Sequence, residues 1–129
     1  MRRLTSTSLA LTLAASGLAF GAITASAQET EWRIGVVTDV GTVDDKNFNE
    51  YTFVGANEGA AAIGLETPVP VAVPEDDSEY GGLIQAYVDQ GFNIIVTAGF
   101  NLGVATTQAA HDNPDVWFIG VDQGPPCVT

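Results

Sequence analysis

The sequence predicts an α/β fold, a parallel doubly wound sheet in the order β-α-β-α-β-α-β, and two observations carry that prediction. Four short apolar runs rich in β-branched residues recur, at 33–38 (RIGVVT), 67–73 (TPVPVAV), 93–98 (NIIVTA) and 116–121 (VWFIGV). Three stretches with helical patterning and helix-stop residues lie between them. Strands that alternate with helices pair in parallel, because each right-handed crossover lays a helix back on the sheet. A continuous apolar run, rather than an alternating one, is what a strand covered on both faces requires.

Each element has its own warrant. The run at 33–38 ends in Asp39 and reads as a strand buried on both faces. Asn47, Phe48, Asn49 and Glu50 open a helix expected to reach Ile63 and to stop at Gly64. That helix holds Gly55, Ala56, Gly59, Ala60, Ala61 and Ala62, small residues expected to let it lie close to the sheet. In the second run, Pro68 and Pro70 lack the N–H a ladder needs, which puts this strand at an edge. Asp77 or Ser78 supplies the N-cap of the next helix, Leu83, Ile84, Tyr87 and Val88 form its apolar face, and Gly91 closes it. The third strand, 93–98, leads through Gly99-Phe100-Asn101 into a short helix from Leu102 to about His111. His111 is expected to meet the free carbonyls at that helix end. The last strand, 116–121, ends at Asp122.

Composition excludes several functions. The 129 residues carry 16 acidic side chains against 4 Lys+Arg, a formal charge of −12, and so lack the clustered cations a nucleic-acid footprint needs. One Cys and one His leave no disulfide framework, no Cys-rich zinc site and little acid–base chemistry. No GxGxxG, GxxxxGK[ST] or GxSxG is present, so no cofactor and no catalytic residue is expected.

Residues 1–27 read as a signal peptide. Arg2 and Arg3 precede an apolar run at 9–23, and Ala25-Ser26-Ala27 fits the small-x-small cleavage rule. The run is shorter than the roughly 20 residues a transmembrane helix needs. No Cys follows it, so no lipid anchor is evident, and the protein is expected outside the cytoplasm. Cleavage leaves only Arg33 and Lys46 as basic residues.

In an open parallel sheet, ligands bind beyond the carboxyl ends of the strands. Three such ends carry unusual chemistry: Thr38-Asp39 with the segment Asp44 to Asn49, then Gly99-Phe100-Asn101, then Asp122-Gln123. Brought to one crevice, aromatic faces suit a flat ring, and carboxylates accept hydrogen bonds from hydroxyl or ring N–H groups. Each residue also has a plainer use. Asp39 ties its own loop; Asp44 and Asp45 position that loop and favour the helix start; Phe48 is core; Asn49 is a helix-start hydrogen bonder. Tyr80 and Tyr87 read as packing residues, and Trp32 and Trp117 as core or edge. Asp122 is the hardest to explain structurally, since an unpaired carboxylate beside a core strand is costly.

These segments carry a family resemblance. RIGVVTDVGTVDDKNFNEYTFVGANEG (33–59), DDSEY (76–80), YVDQGFNIIVTAGF (87–100) and NPDVWFIGVDQ (113–123) resemble, in order and spacing, the basic membrane protein family of solute-binding proteins, which includes bacterial purine nucleoside receptors. The resemblance implies a type I periplasmic-binding-protein-like lobe, here incomplete, one of a pair of α/β domains closing on ligand and serving the permease and ATPase of an ABC importer. It implies that Asp39 accepts hydrogen bonds from a nucleoside-like ligand and that Phe48 stacks on its base. Asn49 then holds the base edge or the loop, Asp122 bonds polar groups from the opposite strand end, and Gly99 and Phe100 form the floor. Family members run two to three times longer, so 28–123 is expected to be the N-terminal part of the solute-binding domain. Residues 124–129, with Cys127, depart from the family pattern and read as a truncation or frameshift product. A sensory ligand-binding module on the same fold is the alternative function, and an exported enzyme using Asp39 and Asp122 a weaker third.

Overall fold

The computed structural model describes residues 31–124. The expected signal peptide and residues 125–129, Cys127 included, lie outside the described residues. Among the described residues four parallel strands form one sheet, β1 (Ile34–Val37), β2 (Val71–Ala72), β3 (Ile94–Ala98) and β4 (Trp117–Val121), in the order β2-β1-β3-β4. Three helices connect them, α1 (Phe48–Ala62), α2 (Tyr80–Asp89) and α3 (Gly103–Asp112), with short 3₁₀ turns at Asp77–Glu79 and Phe100–Leu102. The fold class is the one the apolar runs predict.

The winding follows from strand order. The chain leaves β1 for β2 on one side, then reverses to β3 and β4 on the other, so the direction switches between β1 and β3. The reversal puts α1 on one face, where Ile34, Val36, Val96 and Ala60 pack together. It puts α2 and α3 on the opposite face, with Val37, Ile84, Tyr87, Ile95 and Leu102. All four residues of β1 are buried, as a strand covered on both sides must be.

Glycine-closed helix ends fix where the chain turns back. After α1, the Gly64 amide donates to the Ala61 carbonyl (3.1 Å) and Leu65 to Ala60 (2.9 Å). After α2, Gly91 donates to Val88 (2.9 Å) and Phe92 to Tyr87 (3.0 Å). Both are Schellman motifs, and the second brings the Phe92 ring onto Tyr87, 4.7 Å between centroids.

Several expectations need correction. The run 67–73 yields only the two-residue strand β2: Pro70 contributes its carbonyl to the Val36 amide (2.9 Å), and without N–H groups Pro68 and Pro70 cannot extend the ladder. Asp76, not Asp77 or Ser78, caps the turn before α2, accepting from the Ser78 amide at 2.8 Å. His111 turns to Asp112 (3.1 Å), and the carbonyl at the end of α3 is met by the Asn113 side chain instead (2.9 Å to Ala109). The small residues of α1 divide: Ala60 is buried against the sheet, but a Cβ added at Gly55 or Gly59 would meet nothing within 4 Å. Those two glycines face an open groove of about 630 Å³, bordered also by Tyr51, Ile63, Ile94 and Ile119. Of the two readings of Trp32 and Trp117, core or edge, neither residue is core: both are exposed, and Trp117 lies on the edge strand β4.

Candidate ligand-binding site

The direction switch between β1 and β3 leaves a crevice where their outgoing loops part, as expected for open α/β sheets. A shallow cavity of about 160 Å³ lies there, lined by Asp39, Val40, Asp45, Asn47, Phe48, Asn49, Gly99, Phe100 and Asp122. All six sequence-derived site residues, Asp39, Phe48, Asn49, Gly99, Phe100 and Asp122, border it.

The first wall is the loop from β1 to α1. Asp45 closes the helix start, its carboxylate accepting from the amides of Asn47 (2.8 Å), Glu50 (3.1 Å) and Asn49 (3.4 Å). Partial desolvation pushes that carboxyl up, but the amides of Glu50, Asn47 and Asn49 outweigh it and hold it below the usual carboxylate range. Glu50 reaches back to the Lys46 amide (2.8 Å), so the loop end and the first helical turn are tied reciprocally. Asp45 therefore has the positioning use its sequence context suggested.

Asn49, only 4% exposed, spends its amide on Asp39. Its Oδ1 accepts from the Asp39 N–H (3.1 Å) and its Nδ2 donates to the Asp39 carbonyl (3.4 Å). Of the two uses open to Asn49, holding the loop is the one these bonds describe. Phe48, one residue earlier, points outward and is 49% exposed, at the boundary between the crevice and the apolar groove beside α1.

The second wall is the turn after β3. Gly99 has φ +96°, and a Cβ there would stand 2.7 Å from Asp39 Oδ2, so both backbone angle and space call for glycine. Phe100 is 71% exposed, which makes it a rim of the crevice rather than its floor. Asn101, next in the turn, donates from Nδ2 to Asp39 Oδ2 at 3.1 Å.

The third wall is the end of β4. Asp122 sits in the left-handed region at φ 57°, uncommon for a residue other than glycine. Gln123 folds back and donates from Nε2 to Thr97 Oγ1 (3.0 Å), Gly99 O (3.1 Å) and Thr97 O (3.3 Å). That latch fixes the turn and presents the Asp122 carboxylate at the crevice. Asp122 is exposed, so the desolvation penalty expected of a carboxylate beside a core strand does not arise.

Sequence reasoning missed Tyr80. Its ring is buried in the α2–α3 core, 4% exposed, while its hydroxyl bonds Asp39 Oδ1 and lies 2.9 Å from Asp77 Oδ1. Burial first, then the Asp39 and Asp77 carboxylates, push its phenol well above the usual range. Its place at the start of an apolar helix read as packing alone; the acidic run Asp76-Asp77 just before it was the available signal.

Among the described residues no group of His, Cys, Asp and Glu is arranged to hold a metal ion, and no helix is long and apolar enough to cross a membrane. The crevice walls offer carboxylates that accept hydrogen bonds and a rim of two aromatic rings with faces open to stacking.

Comparison with known proteins agrees with this fold. Residues 33–124 match the family model described as ABC transporter substrate-binding protein PnrA-like. The chain is 28% identical over 96 residues to the ABC transporter nucleoside-binding protein BmpA of Lactococcus lactis subsp. cremoris (strain MG1363), covering 73% of this chain and 27% of that protein. The crystal structure of ABC transporter system solute-binding proteins from Aeropyrum pernix K1 superposes with a TM-score of 0.64 at 23% identity, over 74% of this chain and 26% of that one. An ABC transporter system solute-binding protein from Conexibacter woesei DSM 14684 gives 0.52 at 22% identity, over 67% and 28%. The chain therefore spans about a quarter of the length of these relatives.

Proposed function

This chain belongs to the PnrA-like family of ABC transporter substrate-binding proteins, and from that premise we propose that its crevice is one side of a site for a purine nucleoside or a similar small polar ring compound. The observation that carries the proposal is that residues as far apart in sequence as Asp39, Phe48, Gly99, Phe100 and Asp122 line a single cavity. Phe48 and Phe100 supply exposed faces for stacking on a base, and Asp39 and Asp122 accept hydrogen bonds from hydroxyl or ring N–H groups. Asn49 serves the site by holding Asp39. Among the described residues, three carboxylates and no cation line the cavity, which favours an uncharged nucleoside over a phosphorylated one. The nucleoside assignment also draws on the name of the lactococcal relative.

On this reading the protein acts outside the cytoplasm, residues 1–27 direct its export, 28–123 form part of one lobe, and the loaded protein delivers ligand to a permease and its ATPase. A site that closes between two lobes loses much of its contact area when one wall is taken alone, so the 129-residue chain binds weakly. Amide shifts followed by NMR during titration with inosine, guanosine and adenosine test this. The expected result is millimolar binding with shifts clustered at 39, 48, 99–101 and 122, and weaker shifts with inosine 5′-monophosphate. Shifts scattered over the surface, or none near the crevice at saturating nucleoside, would overturn the proposal.

A further inference from the structure

We infer that Tyr80 is a positioning residue that sets the orientation of the Asp39 carboxylate from the opposite side of the sheet; its consequence for affinity rests on the ligand-site reading above. Asp39 is held from α1, from α2 and from the turn after β3. Its backbone N–H and carbonyl are both bonded by the Asn49 side chain of α1. Its Oδ1 accepts from the Val40 amide (2.7 Å) and from the Tyr80 hydroxyl of α2, and its Oδ2 from Asn101 (3.1 Å). The missing side chain at Gly99 leaves the space that Oδ2 occupies. A carboxylate fixed in this way meets ligand without losing rotamer freedom on binding, which is how preorganisation raises affinity.

The Tyr80 ring is anchored in the core, so its hydroxyl is a rigid arm rather than a mobile surface group. A phenol carries one proton, yet two carboxylates face it, Asp39 and Asp77. Asp77 therefore competes with Asp39 for the same donor. Removing the hydroxyl should loosen Asp39, whereas removing the competitor should leave it held at least as firmly, and a purely structural role for Tyr80 does not produce that pattern. In Asp77→Asn the new amide donates to the phenol oxygen, which leaves the hydroxyl proton to Asp39 alone.

The test uses the 129-residue chain and two readouts. The first needs no ligand: side-chain couplings of Asp39, measured by NMR, report one rotamer in the wild type and in Asp77→Asn, and averaging in Tyr80→Phe. The second is inosine affinity by chemical-shift titration, expected to fall about tenfold in Tyr80→Phe, as for loss of a hydrogen bond to a charged group, and to hold or rise in Asp77→Asn. Tyr80→Phe keeps the ring, so a folded amide spectrum is the expected control. Asp39 couplings unchanged in Tyr80→Phe overturn the inference whether or not inosine binds. Equal affinity losses in both variants overturn it as well. A wild-type chain that binds no inosine counts against the proposed function, and the couplings then decide the role of Tyr80 alone.

Discussion

The two faces of the sheet differ in how completely they are covered. On one, α2 and α3 lie side by side, and Val37, Ile84, Ile95 and Leu102 are fully buried beneath them. On the other, α1 lies alone; Val36 is fully buried, but Ile119 and Trp117 on β4 are exposed, and the groove beside the helix stays open. Burial of apolar surface is the main favourable term in folding, so the closed face carries most of the stability. The crevice draws from both: Phe48 comes from the lightly covered side, and the arm that holds Asp39 comes from the closed one. Buried apolar contact is thus concentrated in one layer while the crevice takes residues from both, and substitutions can separate the two layers.

The largest contrast comes from truncating matched isoleucines. Ile95→Ala on the closed face leaves a cavity in a fully buried site and should cost about 3 kcal/mol, whereas Ile119→Ala on the exposed strand should cost under about 1 kcal/mol. Urea unfolding of the two variants measures this, and equal losses would break the comparison. The same substitution at two glycines sharpens it further. A Cβ at Gly35 would stand 3.1 Å from the Tyr87 ring and 3.2 Å from Phe92, so Gly35→Ala should destabilise by about 1–2 kcal/mol through overpacking. Gly59→Ala adds its methyl to open space within α1 and should stabilise by about 0.5–1 kcal/mol. Opposite shifts in melting temperature are expected.

A pH effect of smaller reach also belongs to the closed face. Burial pushes the Tyr87 phenol from 10.0 up to about 12. Between those values the unfolded chain releases a proton that the folded chain keeps. The stability from Tyr87 is thus fully present below pH 10 and is lost as pH rises toward 12. Tyr87→Phe should flatten part of the alkaline limb of a stability–pH curve, with the Tyr80 share remaining. An unchanged limb would mean that Tyr87 titrates like an exposed phenol.

Much of this architecture could be read from residue patterns, for physical reasons that vary by element. β1 and β3 are continuous apolar runs, and a run of that kind has few uses other than a strand covered on both faces. The ends of α1 and α2 were visible because Gly64 and Gly91 close Schellman motifs whose bonds are local in sequence. What stayed hidden was longer in range. The truncation of β2 depends on how Pro68 and Pro70 meet β1, and the outward turn of Gly55 and Gly59 depends on which helix face the sheet takes. At the crevice, the strand-end rule gathered Asp39, Gly99 and Asp122, since loops beyond parallel strands must share a rim. It did not reveal that Asn49 would be used up on Asp39, or that Tyr80 would pass its hydroxyl through from the far layer. Those bonds join residues 10 and 41 positions apart and follow from packing, not from any local pattern.

The Gln123 latch has a consequence for what this rim can measure. By binding Thr97 and Gly99 it makes the ends of β3 and β4 one rigid piece, with β1 paired directly alongside. Asp39 follows β1 and Asp122 follows β4, two strand spacings away, which sets their backbones roughly 10 Å apart. That gap is a ruler built from backbone hydrogen bonds, and it keeps its length whatever lies between its two ends.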